Sequence, residues 1–216
     1  ERECVVCVRL CLSLCTVSPM RVSSSSAALL LLLLVVVAGA VCVHATIPFR
    51  YPLYKQCDSR WGDDVIETTT ICKVGCLMSS VSMGLAGKNI TIPPAHHESN
   101  PGTLNTWLRN NGGYTSGNDL IESVVPNINK GQIRWEGSIL SHDGLTLAQI
   151  RKYLQDGSTV VIGNVMEGRH FVLIVGWDDA NENELLINDP GFAVTQRSYS
   201  EFVGYRIFTM LEKHSV

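Results

Sequence analysis

The stretch HFVLIVGW, residues 170–177, decides how this chain folds. Phe171, Leu173, Val175 and Trp177 alternate with Val172 and Ile174, so an extended backbone here is apolar on both faces. Such a strand belongs at the centre of a sheet that is covered twice. Residues 159–165, 184–188 and 205–211 have the same strand character. DDANEN at 178–183 is a good turn, so residues 184–188 should return antiparallel and end beside His170.

Upstream of these strands the apolar spacing turns helical. CLMSSVSMGLAG at 76–87 places Leu77, Met78, Val81 and Leu85 on one side and stops at glycine. NPGTLNTWLRNNGG at 100–113 has Pro101 near its start and a stripe of Leu104, Trp107 and Leu108. In TLAQIRKYLQDG at 146–157, Thr146 and Gln149 have capping-box spacing, Leu147, Ile150 and Leu154 share a face, and Gly157 ends the helix. Residues 46–64, punctuated by Pro48 and Pro52, and the segment TIPPAHHESN at 91–100 read as extended chain or loop. Helices followed by an antiparallel sheet make an α+β domain.

The N-terminal region differs from all of this. MRVSSSSAALLLLLLVVVAGAVCVHA, residues 20–45, joins a basic Arg21, an apolar run and a small residue at Ala45, the layout of a secretory signal peptide. The competing expectation is a membrane anchor through residues 27–43, which is at the short limit for spanning and is interrupted by Gly39. Residues 1–19 hold four of the eight cysteines and resemble neither a domain nor a targeting signal, so they are expected to be an upstream extension. The folded domain is then 46–216, long enough for one full core. It carries 14 Lys and Arg against 18 Asp and Glu, with no basic run, which gives no reason to expect nucleic acid. A membrane is a partner only if the apolar segment is retained. A secreted or lumenal location agrees with the sequon at Asn89–Thr91, a possible glycosylation site at Asn89.

Three cysteines remain in the domain, Cys57, Cys72 and Cys76, an odd count that suggests one pair and one free thiol. Cysteine attacks carbonyl carbon as the thiolate, an anion favoured by a helix N-terminus and by an adjacent imidazolium. Cys76 follows Gly75 and opens a helix. Of the domain's five histidines, His96 and His97 lie in a proline-rich loop, His142 in a polar turn and His214 by the terminus. Only His170 starts a central strand. Asp189, or Asn188 in its place, ends the neighbouring strand and could orient the imidazole. A zinc site from Cys72, Cys76, His96 and His97 is the weaker alternative, because adjacent histidines in a loop seldom both ligate one ion and no second cysteine pair exists. No metal or other cofactor is expected.

QCDSRWG at 56–62, VGC at 74–76, GRHFVLIVGWD at 168–178 and NDPGF at 188–192 occur in one order. Together with NPGTLNTWLRNNGGY at 100–114, they resemble papain-like cysteine peptidases of the C39-like family, related to the bacteriocin-leader "double-glycine" peptidase domain. The resemblance covers roughly residues 54–210. It implies a papain-like fold, with Cys76 as nucleophile, His170 as general base and acid, Asp189 orienting His170 and Gln56 helping to bind the oxyanion. It also implies a peptide or protein substrate. Leader peptidases of this kind are commonly fused to transporter domains and this sequence shows none, so leader processing is not carried over.

The expected function is a secreted thiol hydrolase that cleaves a peptide or amide bond through an acyl-enzyme. An acyl transferase using the same triad, or an inactive papain-like binding domain, are the alternatives. With Cys76 assigned as nucleophile, Cys72 sits outside its helix and is free to pair with Cys57, next to Gln56. That bridge would fasten the Gln56 loop to the segment carrying the nucleophile.

Overall fold

The computed structural model describes residues 45–212. The proposed upstream extension, His214 and all but the last residue of the proposed signal or anchor segment lie outside the described residues. Four α-helices are described: α1 Ile71–Val74, α2 Cys76–Gly87, α3 Pro101–Asn110 and α4 Leu147–Asp156. The strands are β1 Ala45–Thr46, β2 Ile133–Ile139, β3 Thr159–Val165, β4 His170–Asp178, β5 Glu184–Asn188, β6 Gln196–Ser198 and β7 Gly204–Met210. They form one antiparallel sheet in the order β2-β7-β3-β4-β5-β6, with β1 paired to the far end of β4. Helices α1 to α3 come first and most of the sheet follows, the α+β arrangement expected of a papain-like domain.

β4 is the covered central strand that its composition predicts. On one face Leu173 and Val175 join Val160, Ile162 and Phe208 beneath Met78, Val81 and Leu85 of α2. On the other face Val172 and Ile174 join Val161 and Ile207 beneath Ile150 and Leu154 of α4. One placement differs from the simple alternation. Trp177 lies with Val172 and Ile174, not with Phe171 and Leu173. The register against β5 slips between Ile174 and Gly176, and this bulge adds one residue, which reverses the sides that follow.

The helix ends follow local chemistry. Asn100 and Thr103 cap α3 reciprocally, with Pro101 in its first turn. Thr146 and Gln149 do the same for α4, and Gly157 at φ 71 closes it in the left-handed conformation that glycine tolerates. Strands β2 and β6 have no counterpart among the sequence expectations. In β2 only Ile133 is buried and the register shifts between Trp135 and Gly137, so this edge strand lacks a continuous apolar face.

The segment leading to the cleft is tied down along its length. Thr46 pairs with Trp177. Phe49 and Tyr51 lie against the Lys88 ammonium, 3.0 and 5.4 Å from their ring centres. Asn188 Nδ2 donates to the carbonyls of Tyr51 and Pro52. Among the described residues no helix is long and apolar enough to cross a membrane.

Candidate active site

The short helix α1 and the longer α2 meet at Gly75, which is buried. A β-carbon at Gly75 would stand 2.6 Å from the Ile71 carbonyl oxygen, so the junction admits no side chain. The packing of α1 against α2 thus accounts for this glycine. It sets Cys76 as the first residue of α2, half-buried, where the helix presents N–H groups without intrahelical partners.

His170 is delivered by the β3–β4 hairpin. Met166 and Glu167 occupy left-handed conformations at φ 54 and 58, followed by Gly168 at φ 92. Two successive residues of positive φ match the twist of a tight hairpin, at some cost to residues that carry a β-carbon. The imidazole is buried, and its Nε2 lies 2.7 Å from Asp189 Oδ1. That same oxygen accepts from the backbone N–H groups of Gly191 at 2.8 Å and Phe192 at 2.9 Å. The aromatic ring of Phe192 meets His170 edge-on at 5.1 Å. A β-carbon at Gly191 would come within 2.9 Å of His170 Cε1, so glycine is required for the turn to pass the ring.

Burial works against a charged imidazole. The hydrogen bond to Asp189, the interaction with the Cys76 sulfur and the fields of both groups outweigh it and push the His170 pKa up to about 9. For Asp189, burial favours the neutral acid. The His170 hydrogen bond, with the N–H groups of Phe192 and Gly191, prevails and holds the carboxyl below its usual range.

Gln56 is buried. Its Nε2 donates to the Cys72 carbonyl at 2.7 Å, and its backbone N–H donates to Pro190 at 2.9 Å. Trp61 and Gly62 show why their motif surrounds it. Trp61 is buried against Tyr54 and donates from its indole to the Lys55 carbonyl. Gly62 accepts from the Cys72 N–H at 2.9 Å, and a β-carbon there would lie 2.9 Å from the Asp58 carbonyl oxygen. A disulfide joins Cys57 to Cys72. Cys76 is the free cysteine among the described residues.

Gln56, Cys76, His170 and Phe192 line one cleft of about 730 Å3. Val74, Met166 and Phe192 give it an exposed apolar rim, and a paired Glu122 and Arg206, 2.6 Å apart, give it a polar wall. Asp189 sits behind His170. Asn188, the alternative orienter, is turned to the N-terminal segment instead. His142 packs at a tilt against Tyr199 with Nδ1 at the Phe202 carbonyl, and His96 faces Thr91. The zinc alternative loses Cys72 to the disulfide. Asn89 is exposed, as a glycan acceptor must be.

Sequence reasoning passed over Lys55, whose ammonium donates to the carbonyls of Asp189 and Phe192, each at 2.6 Å. Its place beside Gln56 was the available signal. It also passed over Arg197, 3.8 Å from Asp189 through Nη2, for which the linear sequence holds no signal.

A family model described as the Peptidase_C39 like family matches residues 49–211. No curated protein and no solved structure matches the chain.

Proposed function

The chain belongs to the C39-like peptidase family, and from that membership we propose a cysteine peptidase or amidohydrolase that acts through Cys76, His170 and Asp189. The observation that carries the proposal is His170 bonded through Nε2 to a buried carboxylate while it interacts with the sulfur at the start of α2. An imidazole that keeps its proton at neutral pH can neutralise a Cys76 thiolate. The thiolate then attacks a peptide carbonyl carbon and the C=O electrons move to oxygen. The backbone N–H of Cys76 and the second N–H of the Gln56 amide, the first being used on Cys72, are the proposed oxyanion donors. His170 gives its proton to the leaving amine as the C–N bond breaks. Water, deprotonated by His170, attacks the thioester carbon, and the C–S bond breaks to release the acid and the Cys76 thiolate, with the proton taken from water left on the ring. Asp189 orients the imidazole throughout.

Profiling of a peptide library tests this. The domain is expected to cleave a subset of peptides and Cys76→Ala to cleave none. No turnover by wild-type protein over a broad library would favour a binding domain, and cleavage by Cys76→Ala would end the thiol mechanism. We also infer a secreted or lumenal site of action, supported by the Cys57–Cys72 disulfide and the exposed Asn89 sequon. Sequencing of the native N-terminus at or near Thr46, with a mass shift on glycan removal, is the expected result.

A further inference from the structure

We propose that Arg197 is a positioning residue for Asp189, keeping the carboxylate charged and turned toward His170. The inference rests on the catalytic roles proposed for Cys76 and His170. The two oxygens of Asp189 are treated unequally. Oδ1 takes all three hydrogen bonds, from His170, Gly191 and Phe192. Oδ2 is buried and has no hydrogen-bond partner, in a side chain with no exposed area. A buried carboxylate oxygen in that position favours uptake of a proton. A cation faces that oxygen. Arg197 Nη2 stands 3.8 Å from Oδ2, in a side chain only 13% exposed whose Nε is itself buried without a partner.

The strand register accounts for this meeting. Leu185 and Ile187 of β5 share one core, and Asp189 continues their alternation. Arg197 of β6 is directly opposite Leu185 and therefore on that side. Its guanidinium is held from behind by Glu201, with Nη1 2.7 Å from Oε2. The charged groups around the carboxylate are His170 from β4, Arg197 from β6 and Lys55 from the N-terminal segment. The Lys55 ammonium is engaged by the backbone carbonyls of Asp189 and Phe192. Beyond them Cys76 faces His170 and Glu201 faces Arg197. Among the described residues, the ion pair at Oδ2 is the one with Arg197. A proton added there would meet a guanidinium, and the anion that accepts from His170 is preserved.

The probe is iodoacetamide alkylation of Cys76 across pH, with thermal melting in parallel. Arg197→Met should move the acid limb of the alkylation profile up by about one pH unit and slow alkylation on that limb roughly tenfold. Arg197→Lys should restore most of it. Glu201→Gln frees the guanidinium from its competing anion and should move the limb the other way, which keeps the proposal testable if Arg197→Met does not fold. Overlapping profiles for Arg197→Met and wild type would overturn it. So would an equal loss at every pH with no rescue by lysine, the behaviour of a merely structural residue, or an unmoved limb in Glu201→Gln. Equal alkylation of wild type and His170→Ala near pH 6 would instead overturn the His170 role itself, and with it this inference. That comparison involves no change at Arg197, so the two failures are distinguishable.

Discussion

His170 is buried, yet its surroundings favour the proton, and the sign of that preference has a consequence for stability. Its folded pKa of about 9 lies above the 6.5 of an ordinary imidazole. The folded state therefore binds the proton more tightly than the unfolded state. The stabilisation is complete below pH 6.5 and is lost as pH rises through 9. Urea unfolding midpoints of wild-type protein should fall from pH 6.5 to about 8, above which the depressed Lys88 offsets the trend, and in His170→Asn that fall should flatten. An unchanged slope in the variant would assign the effect to another group. At this scale the sequence was already informative: Cys76 and His170 stood out because one opens a helix and the other opens a central strand. Arg197 did not, because its importance lies in what it meets and not in its neighbours along the chain.

Two devices at the scale of elements hold the nucleophile in place. The first is the α1–α2 junction. Gly75→Ala would drive a methyl into the Ile71 carbonyl, so it is expected to destabilise the domain by about 1–3 kcal/mol. If folded, the variant should also lose turnover, because displacing a nucleophile by about 1 Å can cost roughly 100-fold. Denaturant melts and kcat of the variant check both. The second device is the Cys57–Cys72 disulfide, with a sequence separation of 15. A loop of that length contributes about 3 kcal/mol in the chain-entropy account. Replacing both cysteines by serine should lower the unfolding midpoint accordingly. It should reduce kcat more than it raises KM, since Gln56 is fastened beside the bridge. The helices were legible because their caps and stops are local. Strand β2 was not, for an edge strand broken at Gly137 shows no clean alternation.

Over the whole molecule, two distant parts of the chain converge on Lys88, at the end of α2 and only 1% exposed. Its ammonium donates to the Gly157 carbonyl at the end of α4 and lies over Phe49 of the N-terminal segment, while its own backbone closes α2. Burial lowers its pKa to about 8, partly offset by Glu212 and Asp156. Lys88→Ala removes a charged hydrogen bond and the cation beneath two rings, and should cost about 1.5–3 kcal/mol in urea unfolding. A neutral result would show that these contacts do not hold the N-terminal segment to the domain. In the sequence Lys88 simply follows a predicted helix, because residues separated by tens of positions carry no mutual signature in a single sequence.

Periodicity, caps and stops are properties of adjacent residues, so the sequence by itself determined the α+β class, the start of α2 at Cys76 and β4 as the covered strand. Its motifs also carried the family. Tertiary structure alone decided which side Trp177 takes, because one bulge reverses every later residue of a strand. It decided that Asp189 rather than Asn188 meets His170, because successive residues of an extended chain point to opposite faces. And it brought Arg197 to Oδ2 through a β5–β6 register that no local pattern encodes.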